Sequence, residues 1–270
     1  MDRDFYNKQG YYVAKQLLPL ASIESILFDI ERLLKNYFQH RLKALPEQQC
    51  LYSFLKTLFE NDPVAYGEFV KMTGVISRLP SVQLLQFHPT LTLSLQALNI
   101  QNFLIPTGPI VNIFAADMST KNNFLGLEAH QDWPSMQGSL DAVIAWIPLS
   151  NIHLDTNPLE IVPQSHQAGL LAQAVTSHHY HTVDHYDDSE FYPLEVEMGD
   201  VVFMSAFTVH RTGKQGRPDS LRAALSFRYD NAEDPFFVSR LYPTAYRRSV
   251  DRELKAEHIP TPEQVRSVFI

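Results

Sequence analysis

Cysteine is nearly absent. The 270-residue chain has one, Cys50, so it can form no internal disulfide and no cysteine-rich zinc site. That usage suits a reducing compartment, and Cys50, at the start of an amphipathic stretch, is expected to be inert. Positive charge is scarce as well. Lys and Arg number 22 against 30 Asp and Glu, a net charge of −8, which lacks the basic footprint of a general nucleic-acid binder. Long apolar runs are missing: the longest clean one, Ala142–Leu149, is far too short to span a membrane. Residues 1–8 show no apolar stretch of the signal-peptide kind. The expectation is a cytoplasmic protein with no nucleic-acid or membrane partner.

What remains is ample core material. Hydrophobic residues make up 45% and charged residues 19%, which excludes a disordered chain. The length fits one large domain, and no linker composition supports a division near residue 100. Eleven histidines stand against the single cysteine. A metal, if held, must be held by imidazole and carboxylate.

The first hundred residues read as helical. Ile23, Ile26, Leu27, Ile30, Leu33, Leu34, Tyr37 and Phe38 recur in steps of three and four, one face of an amphipathic helix. A second helix carries Leu51, Phe54, Leu55, Leu58 and Phe59. A third opens at Asp62-Pro63, a cap followed by proline, and stops near Leu79-Pro80. The rest reads mainly as strand: Ile110–Phe114, Ala142–Ile147, and Glu195–Val209 broken by a turn at Met198-Gly199-Asp200. Leu221–Tyr229 alternates with the period of a half-buried strand. Helices first and strands later predict an α+β fold, mainly β in its core, with the helices packed on one face of a sandwich or open barrel.

Three residues could hold a metal. His130 and Asp132 are two apart, and in extended chain such residues point to the same side. His210 ends the apolar run Val201–Val209. If that strand and Leu221–Tyr229 form a hairpin across the loop Gly213–Ser220, then His210, Thr212 and Arg222 share parity and can share a face. Two histidines and one carboxylate with open positions make the facial triad of non-haem Fe(II) oxygenases. A nearby arginine offers a planar fork for the far carboxylate of a keto-acid cosubstrate. Among its rivals, Arg211 has the wrong parity, Arg217 lies in the turn, and Arg228 shares the parity of Arg222 and faces the barrel or its far end. Gln131, Trp133 and Arg228 are candidate substrate contacts, with packing the alternative for the first two. Substituting His130 or Asp132 by alanine is expected to abolish iron-dependent turnover and leave the fold largely intact.

On these residues the chain resembles the phytanoyl-CoA dioxygenase-like branch of the Fe(II)/2-oxoglutarate-dependent oxygenases. Phe5–Val13 is similar to the family's opening of short helix, glycine and strand. His130-Gln131-Asp132 resembles its His-x-Asp motif, Trp146–Leu149 its central tryptophan strand, Val162–His166 its Pro-Gly-Ser-His element, and Gly199-Asp200 with Phe203 and His210 its distal-ligand strand. Arg222 fits the position of its cosubstrate arginine. Gln164 stands where glycine is usual, and Asn157-Pro158 where Asn-Gly is frequent. The resemblance implies a double-stranded β-helix, a jelly-roll core over about residues 103–235, with helices over about 1–100 and an extension over about 236–270. It implies Fe(II) held by His130, Asp132 and His210, 2-oxoglutarate held through Arg222 with help from Thr212, Trp146 as a wall of the cosubstrate pocket, and O2 as oxidant. It further implies release of succinate and CO2 as an unactivated C–H of a small molecule is hydroxylated; the expected substrate is a biosynthetic intermediate. A retained carboxylate favours hydroxylation over halogenation. Desaturation or epoxidation, a cupin-like metal enzyme without 2-oxoglutarate, and a non-catalytic binding module stay open as alternatives, as do the substrate and the oligomeric state.

Other polar clusters invite blander readings. His178, His179, His181 and His185 sit in what reads as a polar loop, a candidate lid or second metal site. His166 is expected to hydrogen-bond in a structural turn, and His88 to end a loop or helix. Arg240, Arg247, Arg248, Arg252 and Lys255 form either a receptor for an anionic substrate handle or a solvated face.

Overall fold

The computed structural model describes residues 1–39, 50–62, 64–115, 126–175, 180–182 and 186–244. It opens with α1 (Arg3–Gln9), capped by the Asp2 carboxylate, which accepts the Phe5 N–H. Gly10 ends this helix at φ +80°, and a Cβ there would lie 2.4 Å from His166 Nδ1, so the turn requires glycine. β1 (Tyr11–Ala14) follows, which completes the expected helix, glycine and strand.

Five helices come next: α2 (Leu20–Phe38), α3 (Leu51–Asn61), α4 (Ala65–Ile76), α5 (Pro80–Leu85) and α6 (Pro89–Ala97). α2 buries Ile23, Ile26, Ile30, Leu34 and Phe38, the stripe that the spacing predicts. α4 starts later than the signal at Asp62 suggests, because Asp62 Oδ1 accepts the Val64 N–H in a turn ahead of the helix. Pro63 lies outside the described residues. The sequence reading contains neither α5 nor α6. Each begins on a proline, so a residue that stops one helix also starts the next. His88 is the N-cap of α6, its Nδ1 accepting the Thr90 N–H.

The β-structure contains β2 (Phe103–Leu104), β3 (Ile110–Phe114), then α7 (Trp133–Met136), β4 (Val143–Pro148), β5 (Leu159–Ile161), β6 (Gln173–Val175), β7 (Tyr180–Thr182), β8 (Tyr192–Leu194), β9 (Val201–Ser205), β10 (His210–Thr212), β11 (Arg222–Asn231) and finally α8 (Pro235–Ser239). One sheet runs β1-β9-β4-β11-β2, with β3 also on β11; a second runs β10-β5-β8; β6 and β7 form a separate pair. The ladders are antiparallel. The two larger sheets face each other as the walls of a double-stranded β-helix. Between them Ile144, Trp146, Val202 and Met204 meet Leu159, Ile161 and Leu194. The outer face of the larger sheet, with Val143, Ala145, Ile147, Phe203, Leu225 and Phe227, packs under the helices. Helices on one face of a jelly roll are what the order of the elements predicts.

Three details depart from the sequence reading. β10 and β11 do not form a hairpin. After β9 the chain turns at Ala206-Phe207, closed by the Thr208 N–H donating to Ser205 O, and β10 joins the opposite sheet on β5. His210 and Arg222 therefore approach from facing sheets instead of neighbouring strands. β11 is buried along all ten residues, not half-buried. Its alternation separates the helix-covered face, with Ala223, Leu225, Phe227 and Tyr229, from the barrel interior. Finally, Tyr180–Thr182 is strand where a polar loop is expected. His178, His179 and His185 lie outside the described residues, as does the side chain of His181.

Gln164, where glycine is usual, takes φ +67°, so the backbone keeps the left-handed turn that glycine favours. Asn157, ahead of the departing Pro158, also takes positive φ, +52°. Asn157 adds a buried bond from Nδ2 to Gly213 O at 2.9 Å. His166, in a 3-10 turn over Ser165–Ala168, lies with Nε2 2.9 Å from Asn7 O, the hydrogen-bonding role expected of it. Among the described residues no helix is long and apolar enough to cross a membrane.

Candidate metal centre

His130 and His210 are joined by an isolated antiparallel bridge. Each backbone N–H donates to the other's carbonyl at 3.0 Å, which sets the two rings 4.2 Å apart between centroids. His130 Nδ1 lies 2.7 Å from Glu128 O, and His210 Nδ1 lies 3.0 Å from Thr208 O. A carbonyl can only accept, so in each neutral ring Nδ1 carries the proton and Nε2 keeps its lone pair. Asp132 follows two residues past the bridge, at the N-terminus of α7. Potential ligand atoms of His130, Asp132 and His210 lie within 4.8 Å of one another, and all three residues are buried. Among the described residues this is the one such cluster.

The electrostatics favour a cation. Burial, and then the neighbouring His210, pushes His130 down to about 4. Burial also lowers His210. For Asp132 burial works upward, but Arg228, His210 and His130 override it and hold the carboxyl at about 2. At neutral pH the cluster is two uncharged imidazoles and one carboxylate, the protonation state a divalent metal requires. Nitrogen and oxygen donors without thiolate suit iron.

The remaining predicted residues divide. Arg222 starts β11 on its barrel side, is buried, and has its guanidinium 5.3 Å from the ring of Trp146. Burial lowers its pKa to about 10, which leaves it charged. Thr212 is buried on β10, and its Oγ1 accepts the Leu127 N–H at 3.1 Å. Arg228 is expected on the substrate; instead its Nη2 donates to Asp132 Oδ1 at 2.8 Å, with both side chains buried. Gln131, the second residue expected on the substrate, is also bonded to the protein. It is fully buried, its Nε2 donating to Gly169 O and Phe207 O and its Oε1 accepting the Leu171 N–H. Pointing opposite to its two neighbours, it fastens the motif to the loop behind. Trp133 stacks on Phe207 at 5.4 Å and donates its indole N–H to Ser139 O, so it too serves packing.

Arg240 is partly exposed and is bonded to backbone. Its guanidinium donates to Phe236 O, Gln137 O and Gly138 O. The other residues of that basic stretch lie outside the described residues. The carbonyls of Glu128 and Thr208, which orient both imidazoles, have no sequence signal, since every residue has a carbonyl. The Arg228 contact has one: its parity with Arg222 on a single strand.

A family profile, phytanoyl-CoA dioxygenase (PhyH), matches residues 6–218. The chain belongs to this family. Its members depend on Fe(II), 2-oxoglutarate and O2, and the donor set just described fits that metal. No curated protein matches the sequence. Similar solved structures include the epimerase SnoN in complex with Fe3+, alpha-ketoglutarate and nogalamycin RO, 16% identical, with a TM-score of 0.58 over 85% of this chain and 82% of that one. The non-heme monooxygenase ThoJ is 14% identical, with a TM-score of 0.60 over 85% and 76%. The carbocyclase SnoK from nogalamycin biosynthesis is 17% identical, with a TM-score of 0.50 over 89% and 90%. At these identities the likeness shows the fold. The chain is an Fe(II)/2-oxoglutarate-dependent enzyme of the family.

Proposed function

We propose that the protein hydroxylates an unactivated C–H of a small molecule, a biosynthetic intermediate, with release of succinate and CO2. The observation that carries this reading is the buried cluster of His130, Asp132 and His210, two neutral imidazoles and one ionised carboxylate within ligand reach of one another. These three residues would hold Fe(II). Bound iron, with 2-oxoglutarate and O2, supplies the oxidation of the C–H bond, coupled to decarboxylation of the keto acid.

The chain's own residues do the positioning. Arg222, buried against Trp146, would receive the distal carboxylate of 2-oxoglutarate as a planar, permanently charged fork. Trp146 walls that end of the barrel and keeps water from the guanidinium. The Glu128 and Thr208 carbonyls hold each Nε2 toward the metal position. A retained aspartate in the donor set supports oxygen insertion over halogenation. Two relatives by fold are described as an epimerase and a carbocyclase, so product analysis is part of the test.

The experiment is an anaerobic titration of the metal-free protein with Fe(II) and then 2-oxoglutarate, followed by the weak visible charge-transfer band of a chelated keto acid. The band is expected in the wild type and lost in Arg222→Ala. Iron binding without the band overturns the cosubstrate assignment and favours a cupin-like enzyme. Substrates are then screened by succinate release, and a product that gains no oxygen atom overturns the hydroxylase reading.

A further inference from the structure

Three side chains form the metal cluster, and the fold orients them by different means. His130 and His210 are each held by a backbone carbonyl. Asp132 is not held by backbone. It occupies the cap position of α7, yet its side chain makes no capping bond. The first turn of that helix explains why. The Trp133 N–H donates to Ala206 O, and the Ser135 and Met136 N–H groups donate to the carbonyl of Asp132 itself. Pro134 has no N–H. No first-turn donor is left to draw the carboxylate into a cap, and it turns to Arg228 at 2.8 Å.

Arg228 is well placed for this and badly placed for the task of Arg222. Both lie on the barrel side of β11, but about 20 Å of strand separates their Cα atoms at ~3.3 Å per residue. The two arginines therefore serve different groups. The Arg228 and Asp132 side chains are 7% and 5% exposed, and a buried guanidinium is strongly unfavourable unless it is paired. Asp132 is thus pinned before any metal arrives, in a carboxylate pose set by the fully buried strand behind it.

We propose that Arg228 is a positioning residue of the metal centre: through its bond to Asp132 it fixes the carboxylate ligand in the metal-binding pose and sets how tightly the site holds a divalent cation. This rests on the metal-centre reading above. It also separates two effects of opposite sign. A guanidinium beside the cation repels it, so its removal would tighten binding if charge were its whole contribution. Loss of ligand orientation weakens binding, by about 10- to 100-fold for partners of this kind. The geometry points to orientation as the larger effect, because among the described residues Arg228 is the hydrogen-bond donor found on the carboxylate, and the first turn of α7 supplies none.

The test is calorimetric titration of the metal-free full-length protein with Mn(II), a redox-quiet stand-in for Fe(II), on wild type, Arg228→Lys and Arg228→Met. Circular dichroism and thermal melts of each metal-free variant accompany it. Arg228→Met is expected to bind Mn(II) about 10- to 100-fold more weakly. Arg228→Lys, which keeps the charge but loses the planar fork, is expected to fall between that variant and the wild type. If Arg228→Met does not fold, the lysine variant decides alone, with a loss of about tenfold expected. A melting temperature that drops while Mn(II) affinity stays at the wild-type value means a structural ion pair only, and overturns the proposal. Tighter binding in Arg228→Met overturns it too, in favour of charge repulsion. A wild type that binds no Mn(II) overturns the metal centre itself, a failure distinct from the first two.

Discussion

Gln131 holds the metal motif to the loop behind it by three bonds, to Gly169 O, Phe207 O and Leu171 N–H, and it lies between two candidate metal ligands without joining them. In extended chain the side chains of residues 130 and 132 share one side and residue 131 takes the other. The same alternation that lets His130 and Asp132 converge sends Gln131 into the protein.

Gln131→Ala is therefore expected to lower stability by about 2 kcal/mol, from three unpartnered backbone groups that are only partly hydrated. Urea unfolding should show a lower midpoint with an unchanged slope. Mn(II) affinity of the folded protein should change far less than in a ligand variant.

His130→Ala and Asp132→Ala should both lose metal-dependent turnover, but their effects on the fold differ. Removing His130 deletes a neutral ring and keeps the bridge to His210, which is made by backbone. Removing Asp132 takes its buried carboxylate partner from Arg228, which costs about 3–5 kcal/mol. The structure thus corrects the expectation that both variants keep the fold largely intact. Thermal melts of the two metal-free variants check it: Asp132→Ala should melt well below His130→Ala.

Asp230 gives a pH dependence of known sign. It is buried on the barrel side of β11, with Oδ1 accepting the Ser139 N–H, and burial raises its pKa from 3.8 to about 6. A carboxyl raised in the folded state favours folding in its protonated form. Its contribution is complete below the ordinary pKa and is lost as pH rises through about 6. The loss is on the order of 3 kcal/mol. Asp230→Asn, which keeps the acceptor for Ser139, should flatten stability across that window and raise it at pH 7. Urea midpoints measured from about pH 4 to pH 7 test this. The lowered Asp132 works in a different window, losing its contribution only as pH falls through about 2.

Gln164 is an exposed non-glycine residue at φ +67°. Gln164→Gly removes that strain at some cost in unfolded-chain entropy, so a net gain of a few tenths to about 1 kcal/mol is expected. An unchanged or lower melting temperature would contradict it.

Much of this was legible in the chain itself. The stripe from Ile23 to Phe38 determined α2, Gly10 the turn after α1, and residue type with the His130-x-Asp132 spacing and the strand end at His210 marked out the candidate metal cluster. Those signals are local or periodic, and a residue's own backbone preferences carry them. Tertiary structure decided the rest. Whether β10 joins β11 or the facing sheet depends on hydrogen bonds closed at Ala206-Phe207, and no alternation within either strand records which partner is taken. Whether Arg228 meets a substrate or Asp132 depends on α7, whose first-turn donors are all engaged or absent, leaving the carboxylate free to cross the barrel. Which groups could do the chemistry is a matter of residue type and parity, and the chain carries both. Which group holds which emerges on folding, because buried charge finds its partner through space and not along the chain.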